Sequence, residues 1–285
     1  MSLLLNPVTA QQVSEFIAHP SHALLLEGPT GSGKLTLGMQ IVGQLLERPA
    51  DQLDSYPYLR RIASVDGKAI SIEAIRGLEQ FLSLKVPSPL AINRIVLIED
   101  AQLLGHEAQN ALLKTLEEPP IATVIILLAS SNQSLLPTVL SRLQVITIKR
   151  AGTDETLQYF AKKGYAATDV KQAISLSGGL PGLMEALLSN EEHPLRPATE
   201  LARQLLQGTT YQRLLMVDEL TKQKPLARDT LFIMQQMAHA RLQTVTDTQA
   251  QRWHQILKAS YDAAEALSSN AQPKLVLDQL MLQLG

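Results

Sequence analysis

Residues Gly28 to Thr36, "GPTGSGKLT", have the types and spacing that hold a phosphate. Gly28, Gly33 and Lys34 satisfy the pattern G-x-x-x-x-G-K. In such a loop the glycines let backbone N–H groups wrap an anion, and a following helix adds partial positive charge. Lys34 is placed to reach the outer phosphates. The nucleotide-binding candidates are therefore Gly28, Pro29, Thr30, Gly31, Ser32, Gly33, Lys34, Leu35 and Thr36. The pattern fails after the lysine. A serine or threonine hydroxyl that helps hold Mg²⁺ belongs there, and the residue is Leu35. Thr36 is one residue further, about 100° round a helix, and does not replace it.

Two carboxylates, Glu99 and Asp100, close the apolar run "RIVLIED" (Arg94–Asp100). Ligands of open α/β sheets bind beyond the carboxyl ends of the strands, where carboxylates can hold Mg²⁺ and orient an attacking water. Without the loop these would read as two exposed carboxylates; with Lys34 upstream they read as part of a site. Ser130, Ser131 and Asn132 close the next apolar run, Thr123–Ser130. A small polar group there can touch a γ-phosphate or its water, and ordinary turn chemistry explains it equally well. Arg142, in "PTVLSRLQ", reads by itself as a surface salt bridge. None of the six histidines falls in H-E-x-x-H or another ligand spacing.

The elements that must carry these residues alternate in the first half. "HALLLEG" (His22–Gly28), Arg94–Asp100, Thr123–Ser130 and "VITI" (Val145–Ile148) read as four strands. Leu37, Ile41 and Leu45 share one face of a helix after the loop. Asp66-Gly67 marks a turn, and Ser71 can cap a helix bearing Ile72, Ile75, Leu78 and Leu82. Another helix runs from His106 until Pro119 and Pro120 stop it. Strands separated by helices imply right-handed crossovers and a parallel sheet covered on both faces. The second half shows no strand pattern. A short helix opens at Thr153 or Asp154 and ends at Gly164. "SGGLPG" (Ser177–Gly182) turns between helices, and "NEEHPLRP" (Asn190–Pro197) reads as a linker. In the last helix, after Pro273, Leu277, Leu280, Met281 and Leu284 form one stripe, for packing inside the chain or against a neighbour.

Bulk composition sets limits on function. The chain has 285 residues, enough for two or three domains, and a net charge of −2, so no global field draws it to nucleic acid or membrane. It has no cysteine, which excludes disulfides and thiolate zinc sites. Aromatic residues are 4% and scattered, so there is no stacking platform for single strands. The longest apolar run, Ala122–Ala129, is too short to cross a bilayer, and the N-terminus has no signal-peptide pattern. A soluble cytoplasmic protein with no membrane partner is expected.

Five segments together are specific: "ALLLEGPTGSGK", "KAISIEAIRGLEQFLSLK", "RIVLIEDAQLL", "NALLKTLEEPP" and "LLPTVLSRLQ". The chain that carries them resembles the clamp-loader branch of the AAA+ ATPases. "GKAISIEAIRGL" and "IEDA" favour its delta-prime subunits of bacterial DNA polymerase III over the gamma/tau ones. The resemblance runs from about Pro7 through "SGGLPGLMEALL" and returns at the last helix, "NAQPKLVLDQLMLQL". It implies an α/β AAA+ P-loop domain with a parallel sheet over residues 1–148. A small helical lid over 149–190 and an all-α collar over 191–285 would follow. It implies a ring with gamma/tau-like and delta-like subunits that opens a sliding clamp and closes it round primed DNA. ATP would bind between subunits, and Arg142 would be the finger that reaches a neighbour's ATP.

The departures from that family bear on the chain's own chemistry. Leu35 lacks the hydroxyl, and the usual Asp-Glu pair stands reversed as Glu99-Asp100. The lid motif reads "GGLPG", with Leu180 where active relatives carry an arginine. The Ser-Arg-Cys motif reads Ser141-Arg142-Leu143 and keeps its arginine, while the four-cysteine zinc module of many relatives is missing. A subunit follows that binds ATP or ADP at most, holds Mg²⁺ weakly or not at all, takes no zinc, and assists hydrolysis elsewhere. It carries no polymerase active site. The alternatives are an active ATPase of the gamma or replication-factor-C small-subunit type, and a non-replicative AAA+ adaptor.

Overall fold

The computed structural model describes residues 3–65, 67–84, 86, 90–189, 193–242, 245, 247–269 and 271–284. The chain divides into two compact units, Met1–Arg150 and Ala151–Gly285.

The first unit is built on a sheet of five parallel strands: β1 (Ala23–Glu27), β2 (Leu59–Ile62), β3 (Arg94–Ile98), β4 (Thr123–Ala129) and β5 (Gln144–Thr147). Their spatial order is β2-β3-β4-β1-β5. Its helices are α1 (Pro7–Ala18), α2 (Lys34–Leu45), α3 (Ile72–Leu82), α4 (His106–Glu117) and the single turn α5 (Pro137–Leu140). Strand side chains alternate between faces, and the two faces build separate cores. Leu24, Leu26, Ile95, Leu97, Val124 and Ile126 pack with Phe16 of α1 and with Leu37 and Ile41 of α2. Leu25, Val96, Ile98, Ile125 and Leu127 pack with Ile75 and Leu78 of α3 and with Leu112 and Leu116 of α4. Each fully buried leucine or phenylalanine contributes about 1.5–3 kcal/mol, and the continuously apolar strands are what a sheet covered on both sides requires.

Local signals place the helices. Asn6 caps α1 by accepting from the Val8 N–H, and its amide donates to the Arg150 carbonyl at 2.9 Å. Thr9 Oγ1 accepts from the Lys149 N–H at 3.0 Å, tying α1 to the segment after β5. Ser71 caps α3 by accepting from the Ala74 N–H. Pro119 and Pro120 follow the end of α4 at Glu117. Four of the strands occupy the apolar runs expected from the sequence. The fifth, β2, is a correction to a four-stranded expectation. Its sequence is Leu-Arg-Arg-Ile, and it pairs with β3 alone at the sheet edge, where solvent accepts the arginines.

The second unit is helical throughout its described residues: α6 (Thr153–Lys162), α7 (Ala167–Ser177), α8 (Pro181–Leu188), α9 (Arg196–Gln207), α10 (Thr210–Leu215), α11 (Val217–Lys222), α12 (Lys224–Leu242), α13 (Asp247–Ser268) and α14 (Pro273–Gln283). Gly178 and Gly179, with φ of 61° and 77°, end α7 in two successive left-handed residues, a conformation glycine adopts without steric cost. One apolar cluster joins Leu180 and Leu183 to Ala202, Leu205, Met234, Leu280 and Met281. The lid and collar expected to part at residues 190 and 191 thus share one core. Arg196 and Pro197, expected in a linker, form the first turn of α9. Asn190, Glu191 and Glu192 of that linker, and Asp66 of the expected turn, lie outside the described residues.

Candidate nucleotide site

The parallel register brings the carboxyl ends of the strands to one edge of the sheet. Glu27 at the end of β1 lies opposite Ala129 of β4 and Thr147 of β5. The loop leaves β1 here, with the Gly28 N–H donating to the Ala129 carbonyl at 3.1 Å. Gly31 and Gly33 take φ of 80° and 84°, and α2 starts at Lys34 with no side-chain cap on its first N–H groups. A Cβ on Gly28 would come within 2.8 Å of Ser32 Oγ, so the loop closes tightly on itself. That hydroxyl is buried and has no hydrogen-bond partner among the described residues. Lys34 Nζ donates to the carbonyls of Gly28 and Pro29 at 2.7 and 3.1 Å. An uncapped helix N-terminus, an orphaned hydroxyl and a lysine folded over the loop fit a phosphate, which would accept from all three.

The same edge does not fit a magnesium ion. Leu35 presents an aliphatic side chain, 40% exposed, where the metal's hydroxyl ligand belongs. Glu99 is engaged elsewhere. One of its oxygens, Oε1, accepts from both Nε and Nη2 of Arg61 on β2, at 2.9 and 2.7 Å. Arg61 Nη1 adds Asp54 at 3.2 Å. The Glu99 hydrogen bonds push the arginine pKa above its ordinary value, which keeps the cation in place. Asp100 sits in the left-handed region with φ of 52°, which aspartate tolerates, and its carboxylate accepts from Gln102 Nε2 at 2.9 Å.

The polar residues after β4 join the same edge. The Ser130 N–H donates to Gln102 Oε1 at 3.1 Å, so Gln102 links this position to Asp100. Ser131 Oγ accepts from the Gln133 N–H within its own turn. The Asn132 N–H donates to Glu27 Oε1 at 3.1 Å, and Thr147 Oγ1 donates to Glu27 Oε2 at 3.4 Å. Glu27 thereby holds the ends of β1, β4 and β5 together directly before the loop. Arg142, which follows α5, donates from Nη2 to Glu117 at 2.6 Å and from Nη1 to the Thr138 carbonyl at 2.8 Å. Leu180 lies in the second unit, buried in its apolar cluster.

Residues 11–152 match the family model described as DNA polymerase III, delta subunit. The first unit of this chain belongs to that family. The chain is 33% identical to the delta-prime subunit of DNA polymerase III from Pseudomonas aeruginosa, over 58% of this chain and 55% of that one. It is 26% identical to the delta-prime subunit from Haemophilus influenzae, over 60% and 56% of the two chains. The match thus spans about half the length of these curated relatives. A gamma subunit-related protein of Thermotoga maritima superposes with a TM-score of 0.57 at 19% identity, covering 97% of this chain and 98% of that one. The fold is that of an AAA+ P-loop domain followed by an all-helical region.

Three residues that were not among the candidates read from the sequence shape this site. Arg61 holds Glu99, Gln102 spans Asp100 and Ser130, and Glu27 anchors Asn132. Glu27 was visible as the last residue before the glycine loop. Arg61 had no such signal, because its strand has no apolar run.

Proposed function

We propose that the chain serves in a clamp loader as a delta-prime-like subunit whose own nucleotide site binds without efficient hydrolysis and whose Arg142 acts on a neighbour's ATP. One observation carries this reading. The phosphate loop is intact in geometry, while Glu99, the carboxylate nearest the role of metal and water ligand, is taken by Arg61. Loop N–H groups and Lys34 would hold the phosphates of ATP or ADP. Leu35 supplies no metal ligand and Leu180 no cation. Each such contact is worth several kcal/mol of transition-state stabilisation, so turnover at this site falls by orders of magnitude. Zinc has no part in the proposal, since no cysteine is present.

Assembly needs a surface, and the final helix separates two. Leu277, Leu280, Met281 and Leu284 are buried inside the second unit. On α14 the exposed large apolar residues are Leu275 and Leu282, seven positions apart on one face, and the adjoining α10 exposes Tyr211, Leu214 and Leu215. We assign this second face to a neighbouring subunit. The ring, the sliding clamp and primed DNA enter as partners through it. The experiment that tests the reading compares ATP hydrolysis by the isolated chain with that of a ring reconstituted from gamma/tau-like and delta-like subunits of the same organism. The chain alone should be silent, and the ring active. Robust turnover by the chain alone would favour the gamma-type ATPase instead.

A further inference from the structure

The second unit holds a groove of about 760 Å³ among α7, α9, α12 and α13, lined by residues that have no role assigned above. Its rim carries three arginines, Arg203, Arg241 and Arg252, and among the described residues no aspartate or glutamate lines it. Leu206, Met237 and Trp253 supply its apolar surface. We propose that this groove binds a short acidic peptide segment, which inserts one large apolar side chain beside Trp253 and pairs its carboxylates with Arg203 and Arg252.

The charge distribution points the same way. The chain as a whole carries −2, so the cations Arg203 and Arg252 at one concavity are a local reversal of sign. Arg203 makes no ion pair or hydrogen bond among the described residues and is exposed. Arg252 donates from Nη2 to the carbonyl of Leu206, another lining residue, at 3.4 Å, and its guanidinium has further N–H groups for an anion. Arg213, which feels the charge of Arg252, is buried, with Nε donating to the Leu205 carbonyl at 2.7 Å. Burial, and next the charge of Arg252, push the Arg213 pKa down, as expected for a buried cation beside a second one.

The lining selects among anions. A free phosphate or sulfate would satisfy the arginines and leave Leu206, Met237 and Trp253 wet. A nucleic-acid strand needs successive aromatic faces, and the groove has a single tryptophan. A peptide with carboxylates flanking an apolar side chain satisfies both halves. Arginine pairs with carboxylates in a bidentate fork, and tryptophan with arginine is the composition of binding hot spots. The volume is that of a pocket for a small ligand, enough for one or two side chains and their backbone.

Trp253 is the sole tryptophan of the chain, so intrinsic fluorescence reports this groove directly. The full chain is titrated with a capped hexapeptide that carries a leucine–phenylalanine pair between two pairs of aspartates. A saturable change in emission is expected, weakening as salt rises. Arg203→Gln with Arg252→Gln should weaken the affinity at least tenfold. Arg203→Glu alone touches no internal contact, and it serves if the double variant loses its helical circular dichroism. Four results would overturn the proposal: no saturable change, an equal response to the same peptide with lysines for aspartates, unaltered affinity in a folded variant, or saturation by twelve-residue oligothymidylate and not by the peptide.

Discussion

Replacing Arg142 by alanine separates a catalytic finger from a surface ion pair. In the free chain its guanidinium rests on Glu117 at 2.6 Å and on the Thr138 carbonyl at 2.8 Å. The two side chains are 34% and 51% exposed, so solvent screens the pair, and it contributes about 0–1 kcal/mol. Arg142→Ala should therefore leave the chain's stability within about 1 kcal/mol of wild type. Releasing the arginine from Glu117 costs no more than that, a factor of about five in population. In the transition state of a neighbour's ATP the same guanidinium would meet developing charge on phosphate oxygens. Such fingers are worth roughly 10³–10⁵ in the best-studied phosphoryl-transfer enzymes. The gain outweighs the release by orders of magnitude. Rings assembled with the variant should lose at least the share of hydrolysis that comes from the site Arg142 serves. Glu117→Gln supplies the control. It breaks the same pair but frees the arginine, and should leave the rate unchanged or raise it by up to about fivefold. The assay is steady-state ATP hydrolysis with clamp and primed DNA. Equal rates for wild-type and Arg142→Ala rings, with assembly intact, would refute the reasoning, as would equal losses from both substitutions.

Four other outcomes follow from the structure. Leu35→Thr alone should not give the isolated chain efficient Mg²⁺-dependent ATP hydrolysis, because Arg61 still occupies Glu99; a phosphate-release assay checks this, and full activity would show that the carboxylate is not the obstacle. Leu280→Ala should destabilise the second unit by about 2–5 kcal/mol, read by thermal or denaturant unfolding, because that side chain lies in its core. Leu275→Asp with Leu282→Asp should instead weaken ring assembly on size-exclusion chromatography with unfolding unchanged, since both residues are more than 60% exposed. His193 is half-buried, and its Nδ1 accepts from the Leu195 N–H at 3.2 Å. Burial pushes its pKa below the usual value near 6.5. The unfolded chain binds its proton first as pH falls, so this contribution is present above about 6.5 and is lost as pH drops through the lower folded value. Denaturant titrations from pH 7.5 to 5 should show that loss, reduced in His193→Gln; an identical slope in the variant would dismiss His193 as its source.

The sequence makes the loop legible because glycine spacing, a preceding apolar strand and a following amphipathic helix are all local signals. Four strands are legible for the same reason, as uninterrupted apolar runs buried on both faces. β2 escapes that logic. Leu59–Ile62 lies at the sheet edge with two arginines facing outward, and nothing in its pattern distinguishes it from a loop. With it goes Arg61, and so the fate of Glu99, which is decided by a contact between residues 38 positions apart. The reversed pair Glu99-Asp100 announces that the metal site is altered but not what replaces the metal. The last helix shows the same limit. Its leucine stripe is plain in the sequence, yet only the packing of α14 shows that Leu277, Leu280, Met281 and Leu284 face inward while Leu275 and Leu282 remain outside.

Membership of a ring is tested most directly by sedimentation of a reconstituted mixture. The purified chain is combined with the gamma/tau-like and delta-like subunits of its own organism, and the sedimenting species is analysed by native mass spectrometry. One hetero-oligomer with this chain at fixed stoichiometry is expected, weakened by Leu275→Asp with Leu282→Asp. A chain that sediments alone beside a complete ring of the other subunits would contradict it.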